Sequence, residues 1–96
     1  MKYLLNRECV LFHPVLDQEN NHTTIVCIPK DGSFHKISQL GYWCLKLLDN
    51  YPRSKQDQMI KYVAMIIHTS PWQIENKVRS FITKMVNMKV ISEENE

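Results

Sequence analysis

Pro52 and Pro71 divide the chain beyond Ser38 into three blocks whose apolar residues recur at helical spacing, and this partition constrains the fold more than any other feature. A proline removes a backbone donor and disfavours helical geometry in the residue before it, so each block must end before its breaker. In the first block, Leu40, Trp43, Cys44, Leu47 and Leu48 form one stripe, Ser38 stands where a cap belongs, and Tyr51 and Pro52 stop the helix. In the second, Met59, Ile60, Val63, Ile66 and Ile67 form the stripe, with Ser54 and Asp57 spaced as a capping box, and His68 and Thr69 leave the helix. The third opens on Ser70, Pro71 and Gln73, the strongest helix-start signal in the chain. Its stripe of Ile74, Val78, Phe81, Ile82, Met85 and Val86 runs to Asn87, which is expected to end the helix in a left-handed conformation. Residues 88–91 then turn back as a short extended segment, and the acidic segment 92–96 is expected to be a disordered tail.

The first third has the other period. Val10, Leu11, Phe12, Val15 and Leu16 favour β-structure, with Pro14 interrupting as in an edge or bulged strand. Glu19, Asn20, Asn21 and His22 form a polar loop. Residues 23–28 are rich in β-branched side chains, Asp31 and Gly32 make a tight turn, and residues 33–38 return as a third strand. Strands first and helices after, without alternation, predict an α+β fold: a three-stranded antiparallel sheet followed by three helices, in a winged-helix-like order.

At 96 residues there is room for one core and no second domain, so residues 1–91 are read as a single domain. The 44% apolar fraction is ample for a packed core and rules out a disordered chain. A net charge of +2 suits an acidic peptide better than a duplex. No apolar run approaches the roughly 18 residues of a membrane span, and residues 1–7 lack a secretory layout, so no membrane partner and a cytoplasmic location are expected.

Chemistry-bearing motifs are missing. Cys9, Cys27 and Cys44 are too widely spaced for a disulfide framework or a metal knuckle and are read as small buried residues. His13, His22, His35 and His68 lie on separate elements without ligand spacing, so no metal is expected, and no cofactor loop can be drawn from two glycines. Asp17, Asp31, Asp49 and Asp57 occupy loop, turn, helix-end and cap positions where structural roles suffice. With no nucleophile or acid–base pair, an enzyme is not expected; a subunit whose site forms only with a partner chain ranks last.

The order of pieces resembles a known family. Pro-Lys-Asp-Gly-Ser-Phe-His-Lys-Ile-Ser (residues 29–38) leads into Gln-Leu-Gly-Tyr-Trp-Cys-Leu-Lys-Leu-Leu-Asp (residues 39–49), with a capped helix and residues 74–91 beyond. Across residues 10–91 this is similar to the PqqD-like family, the RiPP recognition elements that serve ribosomally synthesised, post-translationally modified peptides. The family's Trp-x-x-x-Leu-Leu-Asp-like helix is matched by Trp43, Leu47, Leu48 and Asp49. Asn87, Met88 and Lys89 stand where many members have glycine before an aliphatic pair. The resemblance implies a non-catalytic, winged-helix-like domain that binds the leader region of a precursor peptide and presents it to a modifying enzyme or leader peptidase, in a lasso-peptide or another pathway. The leader is expected as an added strand in the groove between the third strand and third helix.

Residue chemistry places candidates along that groove. On residues 33–38, Phe34 and Lys36 alternate with His35 and Ile37, and either pair could face the helices. On the third helix, Lys77, Phe81, Lys84 and Met88 share a stripe beside the core stripe, two lysines flanking two apolar anchors. The first reading of Phe81 is nonetheless as core, and that of the lysines as a solvated face. Trp43 and Trp72 are read as core or core-edge residues. The competing function is a winged-helix nucleic-acid binder with residues 70–87 in a major groove; Lys77, Arg79 and Lys84, tempered by Glu75, make too few phosphate contacts to favour it.

Overall fold

The computed structural model describes residues 1–11, 15–16, 22–28 and 32–94, with the side chains of residues 10–28 left aside. Its elements are β1 (Lys2–Leu5), β2 (Val10–Leu11), β3 (Val15–Leu16), β4 (His22–Ile28), β5 (Ser33–Ile37), α1 (Gln39–Asn50), β6 (Ser54–Lys55), α2 (Gln56–Ile66), α3 (Pro71–Asn87) and β7 (Ile91–Glu94). The interruption at Pro14, the loop at Glu19, Asn20 and Asn21, and the turn residue Asp31 lie outside the described residues, as do Asn95 and Glu96.

The expected three-stranded antiparallel sheet is present. Here β4 is central: β2 pairs with it at Cys27 and Val26, β3 at Thr23 and His22, and β5 from Thr24 opposite Ile37 to Ile28 opposite Ser33. Helix α1 packs on this sheet against β4 and β5. The Ser38 hydroxyl accepts a hydrogen bond from the Gly41 N–H at 3.1 Å, so the strand passes into the helix with an orphan donor satisfied. Tyr42, Cys44, Leu45, Leu47 and Leu48 are its buried face.

A second sheet, absent from the sequence reading, is ordered β6-β1-β7. Lys2 and Tyr3 pair with Lys55 and Ser54 on one side, and β1 pairs along its whole length with β7 on the other. This corrects two expectations. Ser92–Glu94 belong to a strand instead of a disordered tail, because Lys2–Leu5 supply a partner for their amides and carbonyls. Ser54 does not cap α2: drawn into β6, it is buried and its hydroxyl donates to the Tyr51 carbonyl at 2.7 Å. Lys55 takes the cap position, its N–H donating to Gln58 Oε1 at 2.7 Å.

Helix α2 buries Met59, Ile60, Val63 and Ala64 and ends at Ile66; two residues on, the left-handed backbone of His68 (φ 57°) turns the chain toward α3. The start of α3 is as expected: Ser70 caps it, Pro71 opens it, and Gln73 Oε1 accepts from the Ser70 N–H at 3.3 Å and from the Thr69 hydroxyl. Ile74, Val78, Ile82 and Met85 form its buried stripe. Its end differs from expectation. Asn87 is the last helical residue, and the left-handed position falls two residues later, at Lys89 (φ 63°), where Val90 N–H reaches the Met85 carbonyl at 2.9 Å. That delay lets Val90 and Ile91 reach the core. One hydrophobic core joins the buried faces of the three helices to Tyr3, Ile37, Val90 and Ile91.

Candidate functional site

Pleating decides which face of β5 meets the helices. Ile37 is 7% exposed and belongs to the core, and His35 is half-buried, its Nε2 hydrogen-bonded to Ser33 Oγ at 3.0 Å. Phe34, 66% exposed, and Lys36 point to the opposite face. Among the described residues, β5 pairs with β4 alone, which leaves the outer main-chain edge of Phe34–Ile37 without a strand partner.

Where β5 passes into α1, a cavity of about 720 Å³ opens toward α3. Ser38 and Leu40 form one wall, Ile67 at the end of α2 closes one end, and Ile74, Lys77, Ser80 and Phe81 form the opposite wall. Phe81 is half-buried and packs on the core while lining this space, so both readings of it hold at once. It lies over Gly41: a Cβ built there would sit 2.5 Å from the Phe81 ring.

The structure therefore brings Lys77 and Phe81 together at one cavity with the end of β5. Lys84 and Met88 line a neighbouring depression farther along α3, of about 590 Å³, which shares Ser80 with the first. Residues 34–37 do not line either one; the cavity begins at Ser38. Sequence reading missed Leu40, Ile67 and Ser80, which carry no signal of their own, and Gly41, which does: a glycine inside a helical pattern marks a close approach.

The electrostatics are mild. Burial pushes the Cys44 thiol up to about 12, so it stays protonated and inert at neutral pH. Cys9 is half-buried, and the Cys27 side chain lies outside the described residues. Among the described residues, no group of three or more His, Cys, Asp or Glu could hold a metal ion, and no helix is long and apolar enough to cross a membrane. Trp43 is half-buried, edge-on to Tyr42 with ring centroids 5.0 Å apart. Trp72 is not a core residue. It is 75% exposed, because its position in the first turn of α3 points away from the stripe begun by Ile74.

The sequence matches no protein-family model and no curated protein. The fold is shared with two solved structures, one of which is a PqqD RiPP recognition element. Two solved structures define the likeness. One is TbiB1 in complex with the TbiA(beta) leader peptide: TM-score 0.73 and 11% identity, over 97% of this chain and 99% of that one. The other is the solution structure of the PqqD truncation of Methylobacterium extorquens PqqCD, a functional, stand-alone RiPP recognition element: TM-score 0.69 and 18% identity, over 96% and 89% of the two chains.

Proposed function

We propose that this chain binds the leader region of a ribosomally synthesised precursor peptide as an added antiparallel strand on β5, between it and α3, and delivers it to separate modifying or proteolytic enzymes. The observation that carries the reading is the open edge of β5 running into the cavity walled by Phe81 and Lys77. A guest strand gains main-chain hydrogen bonds along such an edge, and its alternate side chains are read by pockets. Ile37, being buried, contributes through its backbone, as does half-buried His35. Phe34 and Lys36 meet the guest only on the outer face. Phe81 is the apolar anchor, Met88 extends its surface, and Lys77 and Lys84 steer acidic leader residues. The role is non-catalytic, needs no cofactor, and belongs in the cytoplasm where precursors are made; lasso-peptide maturation is one pathway it fits.

The test uses the N-terminal segment of a precursor peptide encoded beside this gene, labelled for fluorescence anisotropy, against a labelled DNA duplex. Leader binding that weakens by roughly 1 to 3 kcal/mol in a folded Phe81→Ala variant supports the reading. Unchanged affinity in that variant, or tighter and salt-sensitive binding to the duplex, overturns it.

A further inference from the structure

A second cavity, of about 980 Å³, shares no lining residue with the Phe81 cavity or with the depression beside it. It opens where β1 ends and where α3 runs on into β7. Leu4, Leu5 and Val86 give it an apolar floor, and Arg7, Arg53 and Lys89 bring three cations to its lining against the one carboxylate of Glu8.

Two of those cations stand on unusual backbone. Arg53 (φ 68°) and Lys89 (φ 63°) both hold the left-handed conformation, which costs a residue with a side chain about 1 kcal/mol and glycine almost nothing. Both are held there by long-range ties. The Arg53 N–H donates to the Tyr3 carbonyl at 3.0 Å, and the Lys89 carbonyl accepts from Asn6 Nδ2 at 3.0 Å. Arg53 Nε lies 3.4 Å from a Glu94 oxygen, which fixes one edge of a guanidinium that still has other donors to offer. A turn that required only the bend would favour glycine at both places; here both carry long cationic side chains beside an apolar floor.

We propose that this cavity is a second docking site, for an acidic segment of a partner protein that also carries one or two large aliphatic side chains. Carboxylates of the guest pair with Arg7, Arg53 and Lys89, and its aliphatic side chains cover Leu4, Leu5 and Val86. The excess of cations in the lining sets the sign of the guest, and the floor distinguishes a peptide from a free anion or a phosphate backbone, neither of which has apolar surface to bury there. The site does not depend on the groove reading: it uses none of the same lining residues, so both guests can be held at once.

The experiment uses an amide-resolved NMR titration of the full chain with a synthetic decapeptide alternating Glu and Leu, and three controls: the Lys–Leu counterpart, inorganic phosphate and a short DNA duplex. The Glu–Leu peptide is expected to shift Leu4, Leu5, Arg7, Arg53 and Lys89, and to do so equally in a Phe81→Ala variant, which separates this site from any binding in the groove. The double variant Arg53→Gly, Lys89→Gly keeps its fold, since glycine suits both backbones, and binds the peptide roughly tenfold more weakly. Equal affinity in that variant, shifts confined to the Phe81 region, no shift at millimolar peptide, or equal or stronger shifts with the Lys–Leu peptide, phosphate or duplex would each overturn the proposal.

Discussion

Gly41 and Phe81 are in contact through an absent side chain: a Cβ on Gly41 would lie 2.5 Å from Cε1 of the Phe81 ring and 2.9 Å from Cζ. The first helix thus lets the third approach closely enough for an aromatic ring to rest on its backbone, and the same ring forms a wall of the candidate groove. Packing and the proposed recognition meet at this one position.

Gly41→Ala is expected to destabilise the fold by about 1 to 2 kcal/mol, because displacing the ring outweighs the roughly 1 kcal/mol that alanine returns in helix propensity. Leader affinity should fall with it, since the ring cannot move without reshaping the cavity. Adding Phe81→Leu should recover part of the loss, and urea titrations of the two single variants and the double would show the coupling. Strict additivity would mean that the contact is not felt.

Lys77 and Lys84 are exposed and stand on the same stripe as Phe81. Replacing either by alanine should weaken leader binding by less than about 1 kcal/mol, mainly through slower association, and the effect should fade in roughly 1 M salt. Stopped-flow association rates at two ionic strengths measure this directly.

Cys44 predicts a pH dependence of stability. Folded, its thiol holds its proton until about pH 12, whereas the unfolded chain releases it near 9.0. Stability from this group is therefore intact below pH 9 and falls as pH rises toward 12, by at most about 1.4 kcal/mol per unit. Cys44→Ala should be less stable than the parent at pH 7, by about 1 kcal/mol, and should match or exceed it between pH 10 and 11. Parallel denaturation curves across that range would refute a deeply buried thiol.

Deleting residues 92–96 removes most of β7. A loss of at least about 1 kcal/mol is expected, since Tyr3 and Leu4 lose Glu93 and Ser92 as strand partners. Burial, with Glu93 nearby, raises the Tyr3 phenol above 10.0, so the truncation should also return its ionisation toward the ordinary tyrosine range. Ultraviolet titration would follow that change, and an unaltered Tyr3 would argue against the pairing.

Much of this was legible in the residues themselves. Helical spacing and breakers placed all three helices, Ser38 and Ser70 cap as their neighbours require, and the β-branched run of residues 23–28 announced the central strand. These are local signals, written within a few residues of where they act. The second sheet was not legible, because Lys2–Leu5 is too short to declare a period and gains its strand character only from Ser54, Lys55 and Ile91–Glu94, far along the chain. For the same reason Ser54 looked like a cap and Ser92 like the start of a tail. The sequence by itself determined the three helices with their apolar stripes and the strands of the first sheet. Only the tertiary structure decided that Ile37 turns inward and Phe34 outward, that Phe81 lies over Gly41 at a cavity, and that Arg7, Arg53 and Lys89 gather around another. Those facts depend on which distant backbones pair and how closely helices approach, quantities set by the packed whole and by no local pattern.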